Sequence, residues 1–365
     1  MFPSREGAET AMLRGVRKRR TSSFIMPEVI SRLRRMQPDE AYVQAAQRVV
    51  LDCLAVKPGE RLLIVYQQRA PFEELAAALM MAADEVGAEI DAVTVTSDET
   101  SPRLMAKLKE RCDKAAASAM LAGYEFSRDI RRVVATPEGE RRHVHMLGLT
   151  DAVVRQSLRI DYRDVHALGE RLRARLQPTS EIRVESAAGT SLTVKGDPSA
   201  RWINAGGLQH GPGWTNLPAG ELVTTPSAVD GVFVPDGGLR LSDGAMLDRA
   251  VLRRMQLTFM GGRLTQIEGP EAQVQQLEAH LDSGAEGRRV GQIIFGTNVG
   301  VIAPIGVACQ DGKLPGLHLV LSYTAPEVTG ARWCGELLVQ LLGRQSTVRI
   351  DGVTVMDKGR YVADL

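Results

Sequence analysis

The stretch GWTNLPAGE at residues 213–221, followed by TTP at residues 224–226, decides the fold predicted for this chain. Proline and glycine stand on either side of Ala219 and fix the backbone of a loop, because proline restricts φ and glycine permits tight turns. The loop holds the carboxylate of Glu221 at a set position before a strand. By itself, the pattern also fits a rigid turn whose glutamate is solvated.

The sequence before this loop alternates strand and helix patterns. An apolar run at residues 62–66 is typical of a strand buried on both faces, and residues 90–95 form a second strand. Between them, residues 72–86 are rich in Ala, Leu and Met, and Gly87 marks the end of a helix. Strand, helix and strand at this spacing predict a parallel sheet. Further helices are expected at residues 41–54, 101–117 and 161–176.

The pattern changes after residue 181. Short apolar alternations at 182–184 and 192–194, with dense glycines further on, predict a β-rich region interrupted by one helix at 271–281. The length also favours two domains. We therefore predict an α/β protein with an N-terminal parallel-sheet α/β domain, residues 26–180, and a β-rich α+β C-terminal domain, residues 181–365. Residues 1–25, which include a basic stretch, are predicted to be a flexible tail.

Composition excludes several classes of function. The net charge is +1 and aromatic residues make up 4% of the chain, so nothing indicates nucleic-acid binding. There is no apolar run long enough to span a bilayer, and no apolar segment follows the basic stretch. The four cysteines are far apart and predict reduced thiols in a cytoplasmic protein. His143 and His145 alternate among arginines, which predicts a solvated strand face rather than a metal site.

The N-L-P-x-G-E stretch followed by T-x-P resembles the signature of the aminopeptidase T superfamily, which includes metal-dependent aminopeptidases and 2,5-dihydroxypyridine dioxygenases. The similarity extends from about Tyr42 to the C-terminus. It includes KPGERLLI (57–64), AGTSLT (188–193), GQIIFGTN (291–298), LH (317–318) and RID (349–351). The resemblance implies the two-domain fold given above, a metal site in the C-terminal domain and a homodimer.

The resemblance also implies which residues form the site. Glu221 matches the first carboxylate of the family, His318 a histidine ligand, and Asp351 the aspartate of an H-x-D motif. Two expected ligands are replaced: Gln292 stands where a glutamate is expected, and Arg349 stands where the histidine of H-x-D is expected. Asp311 lies near the position of a further glutamate.

These replacements predict the loss of the metal. Two divalent ions about 3.5–4 Å apart need several anionic oxygens, and a guanidinium cannot ligate a cation. A single iron held by two histidines and a carboxylate is disfavoured too, since one histidine is gone. We expect no metal, with Arg349 as the cation that balances Glu221 and Asp351 through its planar fork.

The predicted pocket therefore consists of Glu221, Gln292, His318, Arg349, Asp351, Trp214 and Tyr323. In this prediction Trp214 stacks on a ligand and Tyr323 corresponds to a tyrosine of the peptidases. The alternative is one divalent ion (Zn, Co, Mn or Fe) held by Glu221, His318 and Asp351, with Asp311 or His210 contributing.

Three functions remain open. In the first, the chain binds a peptide, a peptide-like molecule or another small molecule without hydrolysing it, as an accessory protein in the biosynthesis of a modified peptide. In the second, it is a metal-dependent aminopeptidase with a reduced, single-metal site. In the third, it is a metal-free enzyme in which His318 acts as acid or base beside Glu221 and Asp351. Membrane and nucleic-acid partners are expected in none of them.

Overall fold

The computed structural model describes residues 26–95, 101–125, 128–135, 140–177, 179–242, 244, 247 and 249–365. The predicted basic tail, residues 1–25, lies outside the described residues. The helices are α1 (Met26–Arg34), α2 (Glu40–Gln47), α3 (Phe72–Val86), α4 (Pro102–Lys114), α5 (Arg128–Ala135), α6 (Asp151–Val153), α7 (Tyr162–Arg175), α8 (Arg249–Leu252), α9 (Glu271–Asp282), α10 (Ala308–Asp311) and α11 (Pro326–Thr329). Two π-helical segments, Arg48–Cys53 and Val154–Leu158, extend α2 and α6.

The strands belong to three sheets. The first sheet contains β1 (Arg61–Gln67), β2 (Glu89–Val95), β3 (Ala117–Ala122), β4 (Arg142–Leu147) and β8 (Gly213–Asn216). The second contains β5 (Glu181–Glu185), β6 (Ser191–Gly196), β10 (Pro226–Phe233), β12 (Gln256–Met260), β13 (Arg263–Glu268), β17 (Thr347–Ile350), β18 (Val353–Asp357) and β19 (Arg360–Tyr361). The third contains β7 (Ile203–Ala205), β9 (Glu221–Thr224), β11 (Gly238–Arg240), β14 (Val290–Gly296), β15 (Gly316–Leu321) and β16 (Val339–Leu342).

The first sheet is the predicted parallel sheet, in the order β2-β1-β3-β4-β8 with every pair parallel. Helix α3 has the predicted bounds, and Gly87 ends it in the left-handed conformation at φ 78°. One face of the sheet packs on the Ala- and Leu-rich side of α3, and the other is covered by α4 and α5. The βαβ unit inferred from sequence is thus confirmed, with strand β8 added from beyond residue 181.

The second and third sheets are antiparallel and share one hydrophobic core. Alternate residues of each sheet point into it, because side chains along a strand alternate between faces. Leu222, Phe295 and Leu319 enter from the third sheet, and Val184 and Val348 from the second; all five are fully buried. The opposite face of the third sheet is therefore free to carry polar groups. No helix in the described ranges combines the length and the apolar character needed to cross a bilayer.

Asn298 joins the two halves of the chain. Its fully buried side-chain amide donates hydrogen bonds to the carbonyl oxygens of Ser157, at 3.1 Å, and of Ala219, at 2.8 Å. Its amide oxygen accepts from the backbone N–H of Gly300 at 3.1 Å. A buried backbone group that loses its partner pays its desolvation cost. The Asn298 side chain therefore sets how the first sheet and the third sheet are held together.

We expect Asn298→Ala to lower the free energy of unfolding by about 2–4 kcal/mol, since it leaves two buried carbonyls without a donor. Urea denaturation followed by circular dichroism measures this difference. Asn216→Ala, at an exposed asparagine of β8, is the matched control and should change the free energy by less than about 0.5 kcal/mol. Equal effects of the two substitutions would contradict a joining role for Asn298.

Candidate functional site

The loop before β9 fixes Glu221, as the sequence predicts. Gly220 has φ 125°, and a Cβ at this position would lie 2.7 Å from the backbone nitrogen of Asn298. Only glycine therefore allows the two backbones to approach. The Gly220 carbonyl accepts a hydrogen bond from Thr297 N–H at 2.8 Å, which closes the contact. The carboxylate of Glu221 is consequently held at the first position of β9.

Three of the predicted residues share one face of the third sheet. In the strand register, Glu221 is opposite Gly296, His318 is opposite Ile294, and Gln292 is opposite Val320. Directly opposed residues lie on the same face, and so do residues two apart on one strand. Glu221, His318 and Gln292 therefore point away from the hydrophobic core. Gln292 is four residues along β14 from the partner of Glu221, which is roughly 13 Å of strand.

Lys313 supplies the cation of this face. Its Nζ donates to Oε1 of Glu221 at 2.8 Å, and the two side chains are only 13% and 22% exposed. Gly312 lets the loop come this close, because a Cβ there would lie 2.4 Å from Nε2 of Gln340 and 3.3 Å from Oε1 of Glu221. The half-buried carboxylate thus has an ammonium as its charge partner.

The prediction that Arg349 balances Glu221 is wrong. Arg349 lies on β17 in the second sheet and its Nη1 donates to Oε2 of Glu185 at 2.7 Å, in an exposed ion pair. Asp351 follows β17 and accepts from the Ser180 hydroxyl at 2.7 Å and from Glu181 N–H at 2.8 Å. The R-x-D segment pairs with β5, so neither residue lies on the face that carries Glu221.

His318 is a neutral histidine whose two ring nitrogens are both engaged by the backbone. Nε2–H donates to the Leu314 carbonyl at 2.8 Å, and Nδ1 accepts from Gly343 N–H at 3.2 Å. The side chain is fully buried, and this burial lowers its pKa from 6.5 to about 4. In this arrangement no ring nitrogen of His318 is free to ligate a metal or to exchange a proton with a ligand.

The remaining predicted residues lie elsewhere. Trp214 is on β8 of the first sheet, half-exposed, with its ring centroid 5.6 Å from that of His145. Tyr323 follows β15, beside Gly291, and its hydroxyl donates to Glu327 at 3.5 Å. The structure does not bring either side chain to Glu221.

The two possible additional ligands are also engaged away from Glu221. The carboxylate of Asp311 accepts the backbone N–H groups of Ile305, at 2.9 Å, and of Gly306, at 2.7 Å, and so shapes the loop before α10. His210 donates from Nε2 to the Asp52 carbonyl at 2.7 Å. Each therefore has a structural partner of its own.

His143 and His145 are buried, so the predicted solvated strand face is wrong. They do point the same way, with ring centroids 4.6 Å apart, because they alternate on β4. Helix α5 packs over this face of the sheet and excludes water. Burial lowers the pKa of His143 well below its usual value and that of His145 to about 4, with the Arg131 charge adding to the second shift. Neither Nε2 has a hydrogen-bond partner within the described residues.

These residues do not fit a metal site. Among the described residues, no group of three or more His, Cys, Asp and Glu side chains is placed to hold an ion. The expected ligands explain why: Glu221 is bound to an ammonium, both nitrogens of His318 bond to the backbone, and Asp351 is in the second sheet. A lysine ammonium 2.8 Å from the carboxylate repels a divalent ion at the same oxygen.

Three residues of this region were not predicted from the sequence. Lys313 and Gln340 meet around Gly312, and Cys309 lies on α10 with its Sγ donating to the Gly148 carbonyl at 3.8 Å. Burial raises the pKa of the Cys309 thiol to about 11, so it is protonated and a poor nucleophile. Gly148 in turn stands at the end of β4, at the carboxyl edge of the parallel sheet. This edge is where open α/β sheets usually bind ligands.

The fold and the sheet order define an aminopeptidase T-like α/β protein. The structure matches wild-type AmpT from Thermus thermophilus with a TM-score of 0.62 at 14% identity, over 88% of this chain and 99% of that one. It matches 2,5-dihydroxypyridine dioxygenase from Pseudomonas putida KT2440 with a TM-score of 0.60 at 17% identity, over 89% of this chain and 99% of that one. At these identities, the two matches show the fold alone.

The sequence comparison identifies the family. The model of the 2,5-dihydroxypyridine 5,6-dioxygenase family matches residues 41–292, which is more than half of the chain, and the chain belongs to this family. The matched range contains Glu221 and ends at Gln292, so Lys313 and His318 lie beyond it. A search of curated proteins finds no match.

A double-mutant cycle tests the Glu221–Lys313 pair. We expect Glu221→Gln and Lys313→Met to couple by about 1–2 kcal/mol in the free energy of unfolding, because each single change leaves a half-buried group without its partner. Arg349→Gln is the control, since its ion pair with Glu185 is exposed; it should change stability by less than about 0.5 kcal/mol. Additive effects in the cycle would show that the contact is absent in solution.

The buried histidine predicts a dependence of stability on pH. The pKa of His318 is about 4 in the folded state and 6.5 in the unfolded state. As the pH falls, His318 is therefore protonated in the unfolded chain before it is protonated in the folded chain. The stability that neutral His318 contributes is therefore complete above about pH 6.5 and is lost as the pH falls towards about 4, by about 3 kcal/mol in total. His318→Gln should reduce the slope of the measured curve in this window, and the slope that remains is due to His143 and His145, whose pKa values burial also lowers.

His280→Gln provides the comparison for this experiment, because His280 is only partly buried on α9. It should leave the slope between about pH 6.5 and about pH 4 unchanged. Chemical denaturation at a series of pH values gives both slopes. A wild-type curve that does not fall on acidification would contradict the buried neutral imidazole.

Proposed function

We propose that this chain binds a peptide or peptide-like molecule at the Glu221–Lys313 pair without hydrolysing it. The observation that carries the proposal is the 2.8 Å contact between Lys313 Nζ and Glu221 Oε1, on the face that the family resemblance assigns to the metal. A peptide with free ends carries an ammonium and a carboxylate. Such a zwitterion can exchange with the internal pair, its ammonium bonding to Glu221 and its carboxylate to Lys313.

The groups that surround the pair support the proposal that the peptide is not hydrolysed. Glu221 is the carboxylate that the family resemblance assigns to the metal site, and it is bound to a cation. His318 has no free ring nitrogen, and the Cys309 thiol, its pKa raised by burial, stays protonated. Binding without turnover suits an accessory protein that presents or protects a peptide while another enzyme modifies it.

Neither alternative gains an observation in its favour. The single-metal aminopeptidase needs Glu221, His318 and Asp351 around one ion, whereas Asp351 hydrogen-bonds to Ser180 and Glu181 in the second sheet. The metal-free enzyme needs His318 as acid or base, and both of its nitrogens bond to backbone groups.

Calorimetric titration in the presence of a chelator tests the proposal. A leucine-rich tripeptide should bind, while its N-acetylated and C-amidated forms should bind about tenfold more weakly, since each lacks one charge. Glu221→Gln should remove the discrimination against the acetylated form, and Lys313→Gln the discrimination against the amidated form. Arg349→Gln should behave as the wild type, because Arg349 lies in the second sheet.

Mass spectrometry of the same mixtures should show intact peptide, before and after addition of Zn²⁺, Co²⁺, Mn²⁺ or Fe²⁺. Metal-dependent cleavage would overturn the non-hydrolytic part of the proposal and revive the aminopeptidase. Equal binding of all three forms of the peptide, or no binding of any, would overturn the role of the ion pair.

A further inference from the structure

A cavity lies beside Leu314 and Pro315, which directly follow Lys313 in the chain. Its volume is about 500 Å³, within the range of small-molecule sites. It opens between the loop at residues 299–302, the segment 314–315 and the turn that joins β18 to β19. The lining residues are Val299, Val301, Ile302, Leu314, Pro315, Arg344, Gln345, Lys358, Gly359, Arg360 and Tyr361.

The charged residues that line the cavity are all basic. Arg344, Lys358 and Arg360 line the cavity, and no aspartate or glutamate among the described residues does. None of the three cations makes a side-chain ion pair within the described part of the chain. The chain as a whole is balanced, with 45 basic and 44 acidic residues. A general excess of basic residues therefore does not explain this lining.

The nearest acidic groups are already engaged. Asp236 accepts the backbone N–H of Arg344 at 2.8 Å and offsets part of the charge of that arginine. Asp357 accepts from the Thr347 hydroxyl at 3.0 Å and lies opposite Arg360 in the β18–β19 register, so it offsets part of the charge of Arg360. Within the described residues, neither Lys358 nor Arg360 forms a side-chain ion pair, and Lys358 has no carboxylate opposite it in the register.

The floor of the cavity is apolar. Val301 and Leu314 are almost completely buried, and the Tyr361 ring is held in place by its hydroxyl, which donates to the Gly296 carbonyl at 2.7 Å. At the mouth, Val299 and Ile302 expose 51% and 77% of their surface. A ligand with an apolar body would cover them, and this burial is favourable by roughly 25 cal/mol per Å².

The backbone that carries the cations is constrained. Lys358 and Gly359 both have positive φ, 46° and 80°, as in the two-residue turn that suits the twist of a hairpin. Gly359 N–H donates a hydrogen bond to the Ser346 carbonyl at 2.8 Å. This bond holds the turn against the residue that precedes β17. Because the turn is held by this bond, the backbone positions of Lys358, within the turn, and of Arg360, directly after it, are fixed before an anion binds.

We propose that this cavity binds an organic anion with an apolar body, held by its carboxylate or phosphate group between Lys358 and Arg360. The apolar part rests on Val301, Leu314 and Tyr361. Planar guanidinium and ammonium groups are the usual partners of such anions in proteins. The site contains neither Glu221 nor Lys313 and does not rest on the peptide-binding proposal.

The probes for the test are 2-naphthoate, 2-naphthyl phosphate and the neutral 2-naphthalenemethanol, titrated by calorimetry into the full-length chain. The two anions should bind, and the neutral alcohol should bind about tenfold more weakly. The preference between the two anions identifies the head group. Lys358→Gln with Arg360→Gln should weaken the anions about tenfold or more and leave the alcohol unchanged.

Lys195→Gln with Arg254→Gln is the matched control, because both residues are exposed and away from the cavity. It removes the same charge and should not change binding. Val299→Trp, which places a large ring at the mouth, should abolish binding of all three probes at an unchanged melting temperature. Anion binding that survives the Lys358 and Arg360 changes, or equal binding of anions and alcohol, or no binding of any probe, would overturn the proposal.

Discussion

The hydrogen bonds of Asn298 are the constraint on which the arrangement of this protein depends. The side chain ties the π-helical segment at Ser157 to the loop at Ala219, and the backbone N–H donates to the Lys313 carbonyl at 3.2 Å. One buried amide thus links the first sheet, the loop before β9 and the loop that carries the cation. Glu221 and Lys313 meet because both of their segments are held against the same residue. Gly220 permits this close packing, since a side chain there would strike Asn298.

The ion pair limits the chemistry that Glu221 can perform. A divalent ion polarises a carbonyl and generates hydroxide at neutral pH, whereas an ammonium contributes one positive charge and hydrogen bonds. The Lys313 side chain is also flexible, so its pairing with Glu221 can open and close without movement of the sheet. Lys313 therefore balances the charge of the half-buried carboxylate but supplies no Lewis acid.

The regular elements could be predicted from the sequence because their signals are local. The apolar run of β1, the Ala-rich helix α3 and its terminating Gly87 each follow from the residues of the element itself. The position of Glu221 was also predictable, since proline and glycine restrict the loop before it. The role of Lys313 could not be predicted, because a single lysine in an irregular loop has no periodic pattern. Its role depends on contacts with residues far away in the chain.

The incorrect site residues have equally specific reasons. Arg349 and Asp351 were placed by the spacing of a motif, but the register of β17 against β5 directs Arg349 to Glu185 and Asp351 to Ser180. Strand register depends on pairing across the sheet and cannot be predicted from a three-residue motif. His143 and His145 were assigned to solvent from their arginine neighbours, while α5 covers them. Whether one helix covers the face of a strand depends on the tertiary structure, so it could not be predicted from the neighbouring residues alone.

Strand β8 has a consequence for the evolution of this architecture. It is encoded after residue 181 but pairs in parallel with β4, at the edge of a sheet otherwise built from the first part of the chain. Separation of the chain near residue 180 would leave β4 paired with β3 alone and would expose an unpaired row of backbone groups on its other edge, which invites aggregation. The two halves are therefore not interchangeable modules. Recombination or gene fission at this boundary would be selected against, and the halves are expected to be inherited together.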